Sequence, residues 1–288
     1  MKVITDIEEM RSFSREARAG SEGLGRSIAL VPTMGALHRG HLELVREARR
    51  LADIVVLTIF VNPAQFLAGE DLESYPRDLK SDLEKARAAG LDVVFTPTAP
   101  AMYPSGFQTT VEVSGLQKNL CGESRPGHFT GVATVVLKLF NITMPHWAVF
   151  GEKDFQQLLV IKRMTQDLDL DVKIKGVPTV READGLAMSS RNSYLSEIER
   201  RAAACLPRSL NKAQEVYCEG MEAEVIIAAV KEVLQEEALA GVEYVKVVDA
   251  ETLEDLPVVR GNGDRGCKTL VQAAVRIGRA RLIDHILI

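Results

Sequence analysis

The sequence lacks the features that mark several whole classes of protein. Its four cysteines, Cys121, Cys205, Cys218 and Cys267, are widely spaced and form no CxxC pair, so neither a disulfide framework nor a thiolate zinc site is expected. Cationic excess is also missing: 35 Lys and Arg against 40 Asp and Glu leave a net charge of −5. That balance disfavours nucleic-acid binding through bulk charge and requires any anionic ligand to meet a local basic site. No apolar stretch approaches the roughly 20 residues that span a bilayer, and the run from Ile54 to Val61 is interrupted by Thr58. The amino terminus turns acidic at Asp6, Glu8 and Glu9, where a secretory signal would carry its apolar core. These absences predict a cytoplasmic chain with reduced thiols and no membrane or nucleic-acid partner. The P-loop pattern GxxxxGK and the dinucleotide fingerprint GxGxxG are absent too, which removes two common ways of holding a nucleotide.

What is present is an ordinary globular composition, with 46% apolar and 26% charged residues in 288, enough for about two domains. After a short helical start, apolar patterning predicts strands at 28–31 (broken by Pro32), 54–61, 93–95, 147–150 and 172–177. Between them it predicts helices at 41–51, 76–89 with Pro76 at the first helical position, 130–142 and 154–168. Alternation of this kind predicts a doubly wound, Rossmann-like parallel sheet covered on both faces. Beyond about residue 188 the order changes to helices at 197–219 and 223–239, then strands at 244–248, 269–276 and 281–286. The expectation is therefore an α/β domain at 1–187 and a smaller C-terminal α+β domain at 188–288 with antiparallel pairing. The stretch 260–266 reads as a flexible turn.

The segment Val31 to His41 lies between the first predicted strand and its helix, where doubly wound sheets bind nucleotides. His38 and His41 are three apart at a helix start, so both imidazoles can point the same way, and Gly40 leaves room for a phosphate. An anion there would also meet unoccupied backbone N–H groups and the positive end of the helix dipole. Two solvated histidines on a turn are the competing reading. A metal pair has no third ligand or carboxylate pattern to complete it.

The string PTMGALHRGH at 32–41 resembles the signature of the pantoate–beta-alanine ligase family, within the wider HxGH nucleotidyltransferase superfamily. FVNPAQF at 60–66, YPRD at 75–78, RPGHFTGV at 125–132, FGEKDFQQ at 150–157 and DGLAMSSRN at 184–192 resemble the same family in the same order. The likeness is dense to about residue 195 and looser beyond. It implies an ATP-dependent ligase that joins pantoate to beta-alanine through an acyl adenylate, with Mg2+ accompanying ATP. It further implies that Met34, Gly35, Ala36, Leu37, His38, Arg39, Gly40 and His41 line the ATP, with His38 and His41 donating to phosphate oxygens and His41 a proton donor. Gly151, Glu152, Lys153 and Asp154 would form an adenosine and phosphate loop, with Lys153 a point charge against the phosphates. Val180, Met188, Ser189, Ser190 and Arg191 would form a second nucleotide segment, with Ser189, Ser190 and Arg191 carried by a C-terminal lid that begins at about residue 188. Gln65 and Gln157 would hold pantoate with help from Asn62, Arg125 and His128 could approach the same pocket, and the metal ligands stay unassigned. A homodimer is the assembly that the resemblance implies. An enzyme that leaves the nucleotide on its product, or a module that binds ATP without turnover, are the alternatives that HxGH alone leaves open.

Overall fold

The computed structural model describes residues 1–20, 25–259 and 268–288. The turn predicted at 260–266 and Cys267 lie outside the described residues. Two units divide the chain. The first comprises Met1–Ser114, Arg125–Glu152 and Gln157–Pro178; the second comprises Gly115–Ser124, Lys153–Gln156 and Thr179–Ile288.

In the first unit the strands are β1 (Lys2–Ile4), β2 (Ile28–Thr33), β3 (Ile54–Ile59), β4 (Val93–Phe95), β5 (Trp147–Gly151) and β6 (Lys173–Val177). They pair in the order β1-β4-β3-β2-β5-β6, every pair parallel. Its helices are α1 (Ile7–Ala19), α2 (Arg39–Leu51), α3 (Leu79–Ala88), the single turns α4 (Ala99–Met102) and α5 (Cys121–Ser124), α6 (His128–Thr143) and α7 (Phe155–Asp167). Of these, α5 and the first turn of α7 belong to the second unit. Alternate residues serve opposite faces of the sheet. Ala29 and Val31 join Leu44, Val45 and Ala48 of α2 in one buried cluster, and α1 and α6 also pack against β2. The chain builds outward from β2 through β3 and β4, then returns to β5, so the direction of winding reverses between β2 and β5. That reversal is the position at which open parallel sheets hold ligands beyond the strands' carboxyl ends.

The second unit carries α8 (Glu197–Ala202), α9 (Cys205–Val216) and α10 (Ala223–Gln235) against β7 (Gly241–Asp249), β8 (Thr269–Ile277) and β9 (Ala280–Leu287). The three strands pair antiparallel in that order, as the sequence pattern predicts. Leu206 and Leu210 of α9, Ile226 and Val230 of α10, and Val271 and Val275 of β8 fill its core.

Four expectations need correction. The helical start is present as α1, but β1 precedes it, too short to show a period. Pro32 does not end β2, because β5 bonds only alongside Ala29 and Leu30, so the N–H that proline lacks is not required there. Pro76 does not open α3; Asp78 caps it, accepting the Ser81 N–H at 3.0 Å. The single helix expected at 197–219 is two, because Pro207 has no N–H to offer and its ring crowds the carbonyl four residues back, at Ala203, where the chain breaks.

Candidate active site

The turn leaving β2 takes its shape from residues on α3. Gly35 has φ +85°, and a Cβ there would lie 2.8 Å from Asp82 Oδ2 and 3.1 Å from Ile59 Cγ2, so both backbone and space require glycine. Asp82, 2% exposed, accepts the N–H groups of Ala36 and Leu37 at 2.8 and 2.7 Å. One turn further along α3, Lys85 donates to the Leu37 carbonyl at 2.8 Å. Neither residue stands out in the sequence, since an acid and a lysine three apart on a helix usually mark a solvated face.

Held this way, the turn delivers His38 as the N-cap of α2. His38 Nδ1 accepts the Gly40 N–H at 3.1 Å and the His38 N–H donates to His41 Nδ1 at 3.3 Å. The pair forms a reciprocal capping box, with imidazoles in the places usually taken by Ser and Glu. The ring centroids are 4.0 Å apart. A ring nitrogen that accepts an N–H carries no proton, so each neutral ring carries its proton on Nε2, the end away from the backbone. The expectation of unoccupied amides is revised here. Gly35 donates to Thr33 Oγ1 at 3.2 Å, and with the bonds above the N–H groups of residues 35, 36, 37, 38 and 40 all have acceptors within the protein. The imidazoles, more than the loop backbone, equip this turn for an anion.

Beside it, at the end of β3, stands a network around Gln65. Its amide nitrogen donates to Met34 Sδ at 3.3 Å and its Oε1 accepts from Asn62 Nδ2 at 3.1 Å. Asn62 is 1% exposed, and it also donates to the Gly131 carbonyl at 3.2 Å while accepting from the Tyr103 hydroxyl at 2.7 Å and the Ala64 N–H at 3.3 Å. All four of its hydrogen-bonding positions are thus used inside the protein, which equips it to orient Gln65 rather than to touch a ligand. Burial pushes the Tyr103 phenol up to about 12, so its hydroxyl stays a donor. A Cβ at Gly131 would fall 2.2 Å from the Ala64 carbonyl oxygen; glycine is what lets α6 approach this turn. The Gln65 carbonyl is held by His128 Nδ1 at 2.7 Å and Arg125 at 3.3 Å. Arg125 also points a nitrogen at His128 Nε2, 3.0 Å away. A guanidinium only donates, so Nε2 is the acceptor and the His128 proton sits on Nδ1. Arg125 forks onto Glu70 with two 2.6 Å bonds. Burial pushes the Glu70 carboxyl up, but the Arg125 fork outweighs it and holds the group below the ordinary carboxylate range.

Gln157 is half-buried on α7. Its neighbour Gln156 is structural, donating at 2.8 Å to the Leu116 and Asn119 carbonyls and accepting the Cys121 N–H at 3.0 Å. Gly151 and Glu152 leave β5 in the first unit, whereas Lys153 and Asp154 belong to the second, with Lys153 Nζ 3.5 Å from Asp154 Oδ1. In the second unit Val180 and Met188 face each other across a small hairpin, the Met188 N–H donating to the Val180 carbonyl at 2.9 Å. Ser189 then caps a 3-10 turn, Ser190–Tyr194, by accepting the Arg191 N–H at 3.2 Å. Met34 to His41, Asn62, Gln65, Gly151, Glu152 and Gln157 therefore lie in one unit. Lys153, Asp154, Val180 and Met188 to Arg191 lie in the other.

A groove of about 270 Å³ between α2 and β6 is lined by both signs of charge, among them Arg46, Arg50, Lys175 and Glu47. Arg50 and Lys175 both pair with Glu47, which leaves little net field for an anion. Among the described residues no group of three or more His, Cys, Asp or Glu is placed to hold a metal ion. No helix among the described residues is long and apolar enough to cross a membrane.

The chain is similar to known proteins along its whole length. The model of the family described as pantoate-beta-alanine ligase matches residues 2–287. The pantothenate synthetase of Geobacter sulfurreducens is 53% identical over 286 residues, spanning 99% of this chain and 98% of that protein. That of Heliobacterium modesticaldum is 52% identical, spanning 100% and 99%. Among solved structures, the pantothenate synthetase of Thermus thermophilus superposes with a TM-score of 0.89 at 44% identity, covering 99% of each chain. The pantoate-beta-alanine ligase of Francisella tularensis, complexed with beta-gamma ATP and beta-alanine, superposes with a TM-score of 0.80 at 32% identity, covering 100% of this chain and 97% of its own. Matched by that family model from residue 2 to 287 and 53% identical to a relative over 99% of its length, the chain belongs to the pantoate-beta-alanine ligase family.

Proposed function

We propose that this protein condenses pantoate with beta-alanine at the expense of ATP, giving pantothenate, AMP and pyrophosphate through a pantoyl adenylate. The observation that carries the reading is the His38–His41 capping box, which holds two imidazoles 4.0 Å apart on the turn whose Met34 meets the Gln65 amide. A carboxylate does not react directly with an amine because its oxygen is a poor leaving group. In the first step a pantoate carboxylate oxygen bonds to the α-phosphorus of ATP and the bond to pyrophosphate breaks. In the second, the beta-alanine nitrogen bonds to the acyl carbon, AMP leaves and the nitrogen loses a proton. Both steps build charge on phosphate oxygens, which fixed donors stabilise in the transition state.

Residues 34–41, with His38 and His41 donating to phosphate oxygens, are assigned to ATP, as are Gly151, Glu152, Lys153, Asp154, Val180, Met188, Ser189, Ser190 and Arg191. Gln65 and Gln157 take pantoate, whose hydroxyls suit neutral amides that donate and accept together, and Asn62 orients Gln65. Magnesium accompanies the nucleotide as the counter-ion of its phosphates. The region 188–288 acts as a lid that shields the adenylate from water, so Arg191→Ala increases AMP formed without pantothenate. The relative from Francisella, complexed with beta-gamma ATP and beta-alanine, supports ATP and beta-alanine as substrates here. The enzyme works as a homodimer in the cytoplasm, where Cys121, Cys205 and Cys218 remain thiols as they are here.

The deciding experiment omits each substrate in turn. Pantoate alone supports exchange of labelled pyrophosphate into ATP, and oxygen-labelled pantoate passes its label to AMP once beta-alanine is added. Exchange that requires beta-alanine removes the adenylate, and a product that retains its nucleotide favours a nucleotidyltransferase instead.

A further inference from the structure

Arg181 follows Val180, which the functional reading assigns to ATP. Arg181 forks onto Asp284 of β9 at 2.5 and 3.0 Å, and the same NH1 donates to the Gly185 carbonyl at 2.9 Å. The Asp284 side chain has no exposed surface. Beyond the fork, its Oδ1 accepts the following residue's N–H, from His285, at 2.8 Å. Arg181 also bridges antiparallel to Ala187, so the fork grips the base of the hairpin that presents Val180 and Met188 and runs into Ser189, Ser190 and Arg191. At the hairpin's tip Asp184 is gripped the other way round, by Arg200 of α8 at 2.5 and 3.0 Å.

We propose that Asp284 is a positioning residue for the nucleotide segment 180–191, acting through Arg181. The inference rests on the functional reading above, which places that segment on ATP. A buried carboxylate paired with a single guanidinium is a weak stabiliser, because desolvation offsets most of the attraction and well-packed apolar residues do as well or better. What the fork supplies is direction. Two parallel bonds fix the plane of the guanidinium and hence the path of the hairpin, which one point charge does not.

The test separates direction from stability. Asp284→Asn keeps the shape and removes the charge, and Arg181→Lys, at a side chain 34% exposed, keeps the charge and removes the fork. Each raises the KM for ATP about tenfold, the order expected for a lost hydrogen bond to a charged group, while the KM for pantoate stays within about twofold. The paired variant Arg181→Met with Asp284→Leu recovers the melting temperature and leaves the KM for ATP high. A paired variant that recovers both, or single variants that raise the two KM values alike, overturns the proposal and makes the fork a fold anchor only. Wild-type protein, run alongside, releases pyrophosphate with pantoate and ATP. If it does not, the functional reading fails separately, and calorimetric ATP binding by Asp284→Asn against wild type still decides the positioning role.

Discussion

At the histidine turn, cap and chemistry reside on different atoms of the same ring. His38 Nδ1 closes the first turn of α2, while the proton on Nε2 is the part suited to a phosphate oxygen. The two roles separate in His38→Asn. An asparagine oxygen takes the place of Nδ1 and caps as well as any side chain, so stability changes by no more than about 0.5 kcal/mol. The asparagine NH2 ends short of the Nε2 position, and pantoate-dependent pyrophosphate exchange falls about a hundred- to a thousandfold, the usual loss for one aimed donor. Denaturant unfolding and exchange measured on one preparation check both halves. An exchange rate equal to wild type assigns His38 to the cap alone. That the two rings lie together was legible, because a spacing of three at a helix start points both the same way. Which ring nitrogen carries the proton was not, since that depends on the bonds each ring makes.

Among the elements, α3 contributes most to a site it does not line. Asp82 and Lys85 hold the turn before His38 from one side of the helix, and a helix pattern alone does not reveal this because the partners are main-chain groups 45 or more residues upstream. Asp82→Ala strands two amide N–H groups and costs about 3 kcal/mol, since each unmade buried hydrogen bond costs about 1–3 kcal/mol. The exchange rate falls more than tenfold even at temperatures where the protein is fully folded, because Ala36, at φ +50°, and Leu37 relax from the path that delivers His38. Urea unfolding measures the first effect and exchange the second; a stability loss with unchanged exchange shows that the turn holds itself. Periodicity located nearly all the helices and strands, because each buries one face. It missed β1, whose three residues are too few for a period, and it ran α8 and α9 together, because a proline effect reaches back four residues to Ala203.

At the scale of the whole molecule, a boundary drawn at residue 188 follows the change from alternating to segregated elements, whereas contacts assemble the second unit from three stretches of chain. Short polar segments such as 115–124 and 153–156 carry no period, so nothing local announces where they belong; side chains far along the chain decide it. Arg281 of β9 donates to Ser124 Oγ at 3.2 Å, and Asn119 donates to the Leu253 carbonyl at 3.0 Å. Tyr244 lies 3.3 Å from Cys121 Sγ, and His285 packs on Phe155 with ring centroids 5.0 Å apart. One strand, β9, thus supplies partners to all the stretches through Arg281, Asp284 and His285. A chain cut after residue 187 keeps the six-stranded sheet and its cooperative unfolding, but 115–124 loses every one of these partners and opens locally. Limited proteolysis read by mass spectrometry then cleaves within 115–124 at least about tenfold faster in the shortened chain than in the full one. The sheet strands are protected in both. Equal protection of 115–124 in the two chains would show that Gln156, which stays behind with its three bonds to that segment, is sufficient to hold it.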